Sequence, residues 1–135
     1  MQIGVILALL VLGVSSVGAQ SSRILGDRGD IVVTPIVHAS VQIEYDGTVV
    51  HVDPWSAGDL SQARPADLIL VTDDPGHHLD PVAIEQLRKD QAPVVLTATA
   101  HERYTDGIVL ANGERGTFAG IEVEAVAAYD MTPGQ

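Results

Sequence analysis

The residues best suited to chemistry in this chain lie in one short segment, residues 71–80, which reads VTDDPGHHLD. Two aspartates, Asp73 and Asp74, and two adjacent histidines, His77 and His78, directly follow an apolar run. Carboxylate and imidazole groups bind divalent metals or exchange protons, and the end of a rigid strand can aim several of them at one point. The segment therefore predicts a metal site or an acid–base site at a strand-to-helix turn.

The same segment has an ordinary structural interpretation, which the residues alone favour. Aspartate, proline and glycine are common turn formers, and Asp80 before a proline is a typical helix start. Adjacent side chains point apart on an extended backbone, so His77 and His78 reach one ion only if the turn bends them together. A turn without metal and a site with Asp73, His77 and His78 as metal ligands both stay open, with Asp74 as a further candidate.

The flanking sequence predicts the elements that hold this segment. Residues 66–72 are a nearly continuous apolar run, typical of a strand that is buried on both faces. Asp80 is expected to cap one main helix at about residues 80–89, whose apolar side chains share one face. Residues 94–98 predict the next strand. A helix between two buried strands indicates an α/β or α+β layered domain, with the helix packed on a sheet.

Two glycine-containing pairs predict hairpins in an otherwise strand-rich chain. Asp46-Gly47 lies between the runs 41–45 and 48–52, and glycine accepts the positive φ of a tight hairpin turn. Asn112-Gly113 predicts a second hairpin over residues 108–118 for the same reason. The other predicted strands are residues 31–37 and 121–128.

The composition excludes several classes of function. Eighteen acidic residues face seven basic ones, and the formal charge is −11, so no basic patch exists to neutralise nucleic acid or an anionic membrane. The same charge is compatible with cation binding. The chain has no cysteine, which excludes disulfides, thiolate metal ligands and a cysteine nucleophile. The sequence does not indicate an oligomeric state.

The two ends predict processing and an incomplete domain. Met1–Ala19 combines an aliphatic run with a small-residue cleavage pattern, which predicts a secretory signal and a secreted or periplasmic bacterial protein with no membrane contact after cleavage. An uncleaved anchor or a buried first strand is the alternative. Residues 20–30 are expected to be a flexible lead. Residues 31–135 are expected to form one domain that is incomplete at its C-terminus, or a fragment with no independent fold.

Four local patterns, in the same order and spacing, resemble the metallo-β-lactamase superfamily, nearest its branch of ascorbate-phosphate-lactonase-like hydrolases. They are VHASVQIEY at residues 37–45, VDPW at residues 52–55, ADLILVT at residues 66–72 and GIEVEAVAAY at residues 120–129. The resemblance covers about residues 31–135. It implies the N-terminal half of an αββα sandwich, which is an α/β fold.

The family motif that follows the third pattern reads D-x-H-x-D-H in this branch, and this chain departs from it. Asp73 and His78 match the first and last positions. Pro75 occupies the second position and cannot ligate through its side chain. His77 stands where the family has the aspartate that binds the second metal and orients the attacking water, so the resemblance makes His77 the candidate catalytic residue.

The resemblance implies Zn²⁺ or another divalent metal, Mn or Fe, that activates water against a small ester, lactone or phosphoester. The alternative is a non-catalytic relative that serves as a binding or scaffold module. His38 is expected either in the core, which is favoured, or near the site floor, as the resemblance implies. His51 and His101 are expected at the surface, and Asp53 is expected to fix a turn.

Overall fold

The computed structural model describes residues 20–128, and the predicted signal sequence at Met1–Ala19 lies outside this range. Strands dominate the described part of the chain, and only two short helices interrupt them. In chain order the elements are β1 (Ser22–Ile24), β2 (Ile31–Val37), β3 (Ser40–Tyr45), β4 (Thr48–Val52), β5 (Leu68–Val71), α1 (Pro81–Leu87), β6 (Val94–Leu96), α2 (Ala98–His101), β7 (Ile108–Val109), β8 (Arg115–Phe118) and β9 (Ile121–Glu124).

Strands β1 to β7 form one seven-stranded sheet in sequence order. The first four strands pair antiparallel, and β4 to β7 pair parallel. The predicted hairpin at Asp46-Gly47 is confirmed, since both residues have positive φ, 49° and 81°. Strand β1 lies at the sheet edge, inside the segment that the sequence predicts as a flexible lead, and it is exposed along its length.

Helix α1 packs on one face of the sheet, as predicted. Its first turn is fixed by Asp80, whose side chain accepts from the backbone N–H groups of Val82 and Ala83. Ile84 is fully buried against Ile69 and other apolar side chains of β5 and β6. The helix ends at Leu87, earlier than predicted, because the next residue, Arg88, is already extended.

A two-stranded hairpin covers the opposite face of the sheet. It consists of β8 and β9, and its apolar side chains pack on Leu68 and Val95. The predicted hairpin over residues 108–118 is wrong, because β7 pairs with β6 in the main sheet and β8 pairs with β9 instead. The tight turn lies at Ala119-Gly120, where both residues have positive φ.

The layers agree with the predicted α/β class: a mixed sheet carries a helix on one face and a hairpin on the other. Neither helix within residues 20–128 has the length and apolar character needed to cross a membrane.

Candidate functional site

Several strands end at one edge of the main sheet, and the polar residues that follow them lie together there. Strands β4, β5 and β6 are parallel, so their carboxyl ends share an edge. Strand β2 runs the same way, because two antiparallel pairings separate it from β4. The residues that follow these strands include His38 after β2, Asp53 after β4 and Thr72 after β5. Side chains that leave the carboxyl ends of such strands commonly form a site.

Asp53 is the best-connected side chain at this edge. It is only 2% exposed, and its backbone N–H donates to the Leu70 carbonyl at 2.9 Å. Its Oδ1 accepts the backbone N–H of Thr72 at 2.7 Å, and its Oδ2 accepts the Thr72 hydroxyl at 2.6 Å. A buried carboxylate with this many donors is held in one orientation.

The same carboxylate fixes the ring of His78. Asp53 Oδ2 lies 2.8 Å from His78 Nδ1, and the His78 side chain is only 20% exposed. Since a carboxylate can only accept, Nδ1 carries the hydrogen, and the neutral ring therefore presents Nε2 as a lone pair. A carboxylate that orients an imidazole in this way is the usual partner of a metal-ligating or proton-transferring histidine.

Two further imidazoles and an indole lie beside this pair. The His77 ring lies 4.6 Å from the His38 ring, stacked at 29°, and 4.5 Å from the His78 ring, tilted at 52°. The His38 and His78 rings are 6.1 Å apart. Trp55 stands edge-on to both His38 and His77, at 6.1 Å and 6.2 Å between ring centres. We call His38, His77 and His78 the histidine cluster.

A tight turn makes adjacent histidines neighbours in space. The Pro75 carbonyl accepts the backbone N–H groups of His78 and Leu79, at 2.8 Å and 2.9 Å. Leu79 is buried in the core beneath α1 and anchors the turn there. The condition stated for His77 and His78, that the turn must bend them together, is therefore met.

The two aspartates of the predicted site make contacts of their own. Asp73 is exposed, and its Oδ1 accepts the backbone N–H of Asp74 at 2.9 Å. The guanidinium of Arg103 donates to the Asp74 carbonyl and lies 4.0 Å from the Asp74 carboxylate. Within residues 20–128, no hydrogen bond or ion pair joins either aspartate to the histidine cluster.

Two residues of the site have a backbone conformation that L-amino acids adopt at a cost. His38 has φ 52° and Asp53 has φ 45°. Such left-handed conformations cost of order 1–3 kcal/mol and persist where the surrounding structure imposes them. The other non-glycine residues with positive φ include Asp46 and Ala119 in hairpin turns. His38 also lies in a hairpin turn, between β2 and β3, whereas Asp53 adopts this conformation where β4 ends at the candidate site.

The loop that carries Trp55 is hydrogen-bonded to the start of helix α1. The Ser56 backbone N–H and hydroxyl both donate to Asp80 Oδ2, at 2.8 Å and 2.5 Å. Burial opposes the charged form of Asp80, but these hydrogen bonds and those from the helix N-terminus hold the pKa of Asp80 below its ordinary value. The predicted cap therefore has a second task, which is to fix the loop beside the histidine cluster.

Two predictions about single histidines are wrong. His51 was expected at the surface, but it is 0% exposed, because β4 is an interior strand and the loop before β5 covers this face. Its Nε2 lies 2.9 Å from the Arg64 carbonyl, and burial lowers the pKa of His51. The favoured core position for His38 is also wrong, since His38 is exposed and stacks on His77.

Thr72 is not predicted from the sequence, and Asp53 is predicted only as a turn residue. The pattern that could have indicated both residues is D-P-W, which follows β4. The carboxyl end of β4 lies beside that of β5, where Thr72 and Asp73 follow. His101, at the end of α2, makes no ring contact with the histidine cluster among the described residues.

The side chains at the site could supply only some of the ligands for the metal that the family resemblance implies. His78 has the orientation that a ligand needs, and His77 and His38 bring further imidazoles within reach. Pro75 offers no side-chain donor. Within residues 20–128, no three His, Asp or Glu side chains stand in an arrangement that could hold a metal ion as they are placed. The ligand set Asp73, His77 and His78 stays a prediction.

An apolar cleft of about 270 Å³ opens beside Thr72, between the main sheet and the β8–β9 hairpin. It lies at the carboxyl ends of β5 and β6, and its apolar side chains include Leu96, Leu110 and Val123. Clefts at the carboxyl ends of parallel strands are common ligand sites.

Comparisons with known proteins agree with this architecture. The sequence profile of the family described as Beta-lactamase superfamily domain matches residues 28–135. Among solved structures, the chain is similar to a protein from Parabacteroides distasonis ATCC 8503 that carries the provisional name metal-dependent hydrolase. The two are 34% identical with a TM-score of 0.79, and the match covers 86% of this chain and 54% of that chain. The chain thus spans about half the length of this relative. No curated protein matches it.

Proposed function

The chain belongs to the beta-lactamase superfamily, and on this premise we propose that it is a metal-dependent hydrolase whose reacting centre lies at the strand ends. The observation that carries the proposal is the Asp53–His78 pair, joined at 2.8 Å and largely shielded from solvent. A purely structural turn does not need a buried carboxylate that orients an imidazole. The hydrolase-like fold of the family is shared by this chain.

The residues of the chain supply orientation. Asp53 holds the His78 ring so that Nε2 faces away from the carboxylate and is available to a cation or a proton. Trp55 lies edge-on to His77, and His77 lies against the His78 ring. A bound divalent metal would supply an activated water at neutral pH. His78 and His77 are the residues that would hold it, and the charge of −11 favours cation binding.

The substrate class is a small ester, lactone or phosphoester with an apolar part. The cleft beside Thr72 has room for such a part, and its lining includes the apolar side chains of Leu96 and Val123. Since Thr72 both borders the cleft and donates to Asp53, a substrate in the cleft would lie next to the group that orients His78.

The test is hydrolysis by the full-length protein after metal-replete expression. Nitrophenyl acetate, a simple lactone and bis-nitrophenyl phosphate represent the three bond classes. We expect one class to be hydrolysed, with kcat/KM lower by about 10- to 100-fold in Asp53→Asn and by more in His78→Ala. His101→Ala is the matched control and should retain full activity. A folded, metal-loaded protein that hydrolyses none of the three contradicts the proposal.

A second candidate is a non-catalytic relative that serves as a binding or scaffold module. The observation in its favour is the departure at Pro75 and His77, where the family has a histidine and an aspartate. The double variant Pro75→His with His77→Asp discriminates between the candidates. Hydrolysis that rises above the wild-type level indicates a site that has lost catalysis, whereas hydrolysis by the wild type alone supports the enzyme.

We also propose that the protein is exported, because Met1–Ala19 has the aliphatic run and small-residue cleavage pattern of a secretory signal. N-terminal sequencing of the protein from the periplasmic fraction of a bacterial host tests this. A mature N-terminus at or near Gln20 supports export, and an intact Met1 on protein from the cytoplasmic fraction contradicts it.

A further inference from the structure

Two buried polar atoms on neighbouring strands of the main sheet have no hydrogen-bond partner among residues 20–128. They are the hydroxyl of Ser40, at the start of β3, and Nδ1 of His51 in β4. Ser40 is 1% exposed and His51 is 0% exposed. Buried polar groups almost always have a partner, and ordered water often serves. We propose that Ser40 and His51 bind one internal water molecule, and that this water positions the loop before β5.

The pairing of β3 with β4 places both side chains on one face of the sheet. Gln42 lies opposite His51, and Val41 lies opposite Val52. Because side chains alternate along a strand, Ser40 shares the face of Gln42 and His51. Both Ser40 and Gln42 are buried, whereas Val41 between them is only half-buried. Ser40 and His51 are therefore diagonal neighbours beneath the loop that covers this face.

The expected separation suits a bridging water better than a direct contact. Diagonal neighbours in an antiparallel pair lie about 7–8 Å apart, with their Cβ atoms somewhat closer. A water that makes two hydrogen bonds of about 2.8 Å joins polar atoms up to about 5.5 Å apart. The structure contains no direct hydrogen bond between Ser40 and His51.

The hydrogen-bonding groups of the two side chains are complementary to a water molecule. His51 Nε2 lies 2.9 Å from the Arg64 carbonyl, which can only accept, so Nε2 carries the hydrogen. Burial lowers the pKa of His51 and favours the neutral ring, in which Nδ1 presents a lone pair. A water can donate to Nδ1 and bond the Ser40 hydroxyl as donor or acceptor.

The polar groups beside Ser40 and His51 already have partners. Gln42 accepts the backbone N–H of Arg64 through Oε1 at 2.8 Å and donates to Glu44 through Nε2 at 2.8 Å. Glu44 also pairs with the Arg64 guanidinium. The backbone of Arg64 is thus held by Gln42 at its N–H and by His51 at its carbonyl. These contacts leave water as the partner for Ser40 and for Nδ1 of His51.

The proposed water acts on the loop through the orientation of the His51 ring. A second hydrogen bond at Nδ1 restricts rotation of the ring, and the opposite nitrogen then stays directed at the Arg64 carbonyl. This loop follows Trp55, which lies beside the histidine cluster. The water therefore has a positioning role and takes no part in the reaction. The inference goes beyond the proposed function, because it requires neither metal nor hydrolysis.

The experiment is crystallography of the full-length wild type at a resolution that shows ordered water, with hydrogen exchange in solution. We expect one water within hydrogen-bond distance of both Ser40 Oγ and His51 Nδ1. Ser40→Ala should lose this water, and its Arg64 backbone N–H should exchange faster by about 2- to 10-fold, as expected for one lost hydrogen bond. The exposed Ser22→Ala is the matched control and should change neither.

Three crystallographic results overturn the inference: no water at this position, a Ser40 hydroxyl bonded directly to His51, or a Ser40 hydroxyl bonded to a backbone carbonyl. Unchanged exchange of the Arg64 N–H in Ser40→Ala overturns the role in positioning the loop. None of these results depends on activity, so a protein that hydrolyses nothing can still hold the water, and an active enzyme can lack it.

A measurement on the wild type covers the case in which Ser40→Ala does not fold. In solution, a nuclear Overhauser effect should join Hε1 of His51 to a water molecule, since Hε1 lies next to Nδ1. The exposed His101 ring is the control, because its water exchanges too fast to give a comparable signal. A His51 ring without this effect overturns the inference.

Discussion

Two regions of the main sheet carry histidines, its interior and the ends of its strands, and they differ in what surrounds the ring. His51 lies in the middle of the main sheet with 0% exposure, bonded through Nε2 to the Arg64 carbonyl. The histidine cluster lies at the end of the same sheet, where His38 is exposed and His77 and His78 are half-buried. Only Val52 separates the histidine that packs from the aspartate that orients another.

The difference shows that position along a strand decides what a histidine can do. In the sheet interior, burial lowers the pKa of His51, and its Nδ1 has no hydrogen-bond partner among the described residues. That ring is a neutral packing element. At the strand end, the backbone leaves the sheet, solvent reaches the rings, and a carboxylate can be placed behind one of them. Such a ring can bind a ligand without disturbing the core.

The largest difference should appear when one histidine of each kind is truncated. His51→Ala leaves a cavity and an Arg64 carbonyl without its donor, so we expect the free energy of unfolding to fall by about 2–5 kcal/mol. His38→Ala removes an exposed ring and should change it by no more than about 0.5 kcal/mol. Urea unfolding of the full-length variants measures both. Equal losses would show that the two places do not differ as described.

The carboxylate behind the cluster should matter nearly as much as the core histidine. Asp53→Ala leaves the Thr72 and His78 donors without an acceptor, which should cost about 2–4 kcal/mol. Asp53→Asn should cost less, because the amide still accepts one hydrogen bond and asparagine tolerates a φ of 45°. Thermal melts monitored by circular dichroism give the order. An asparagine variant as unstable as the alanine variant would contradict the role assigned to the hydrogen bonds.

A change at the N-cap of α1 tests how firmly the loop with Trp55 is held beside the histidine cluster. Asp80→Ala removes the N-cap of α1 and the acceptor for Ser56, and should cost about 0.5–2 kcal/mol. The exposed Asp90→Ala is the control and should leave the unfolding midpoint unchanged. We also expect faster quenching of Trp55 fluorescence by acrylamide in Asp80→Ala. Unchanged quenching would mean that Asp80 does not hold the loop beside the cluster.

The smallest expected effect is the pH dependence that His51 gives to the free energy of unfolding. Burial lowers its folded pKa, while the unfolded chain takes up the proton near the ordinary value of about 6.5. Between that value and the lowered pKa, the unfolded state binds more protons, so stability should fall as the pH drops through this window. The Arg64 carbonyl and the Glu44 charge oppose the shift in part.

Urea midpoints between pH 7.5 and 5 measure this slope in the wild type and in His51→Gln. The variant lacks the titrating ring and should lose part of the slope, whereas the control His101→Ala should keep it. The same slope in His51→Gln and in the wild type would contradict the assignment to His51.

Features that depend on neighbouring residues could be predicted from the sequence. The hairpin at Asp46-Gly47 and the cap at Asp80 follow from local backbone preferences, and both are confirmed. The pairing of β8 with β9 was missed because two glycine turns compete within residues 112–120, and only packing on the sheet selects between them.

The site was predictable only where its residues are close in sequence. The segment with His77 and His78 was found because donors cluster along the chain. Asp53 and His38 come from other strand ends, 25 and 40 residues away from His78, and only the order of the strands brings them together. The burial of His51 was missed because alternation along β4 does not reveal that a loop covers its face.

The most direct test of the central claim is crystallography of the full-length protein soaked with Zn²⁺, with data collected on both sides of the zinc absorption edge. The account predicts one anomalous peak about 2.0–2.1 Å from Nε2 of His78, with Asp53 still bonded to Nδ1 of the same ring. A peak elsewhere without His78, or no peak at the strand ends, would contradict it.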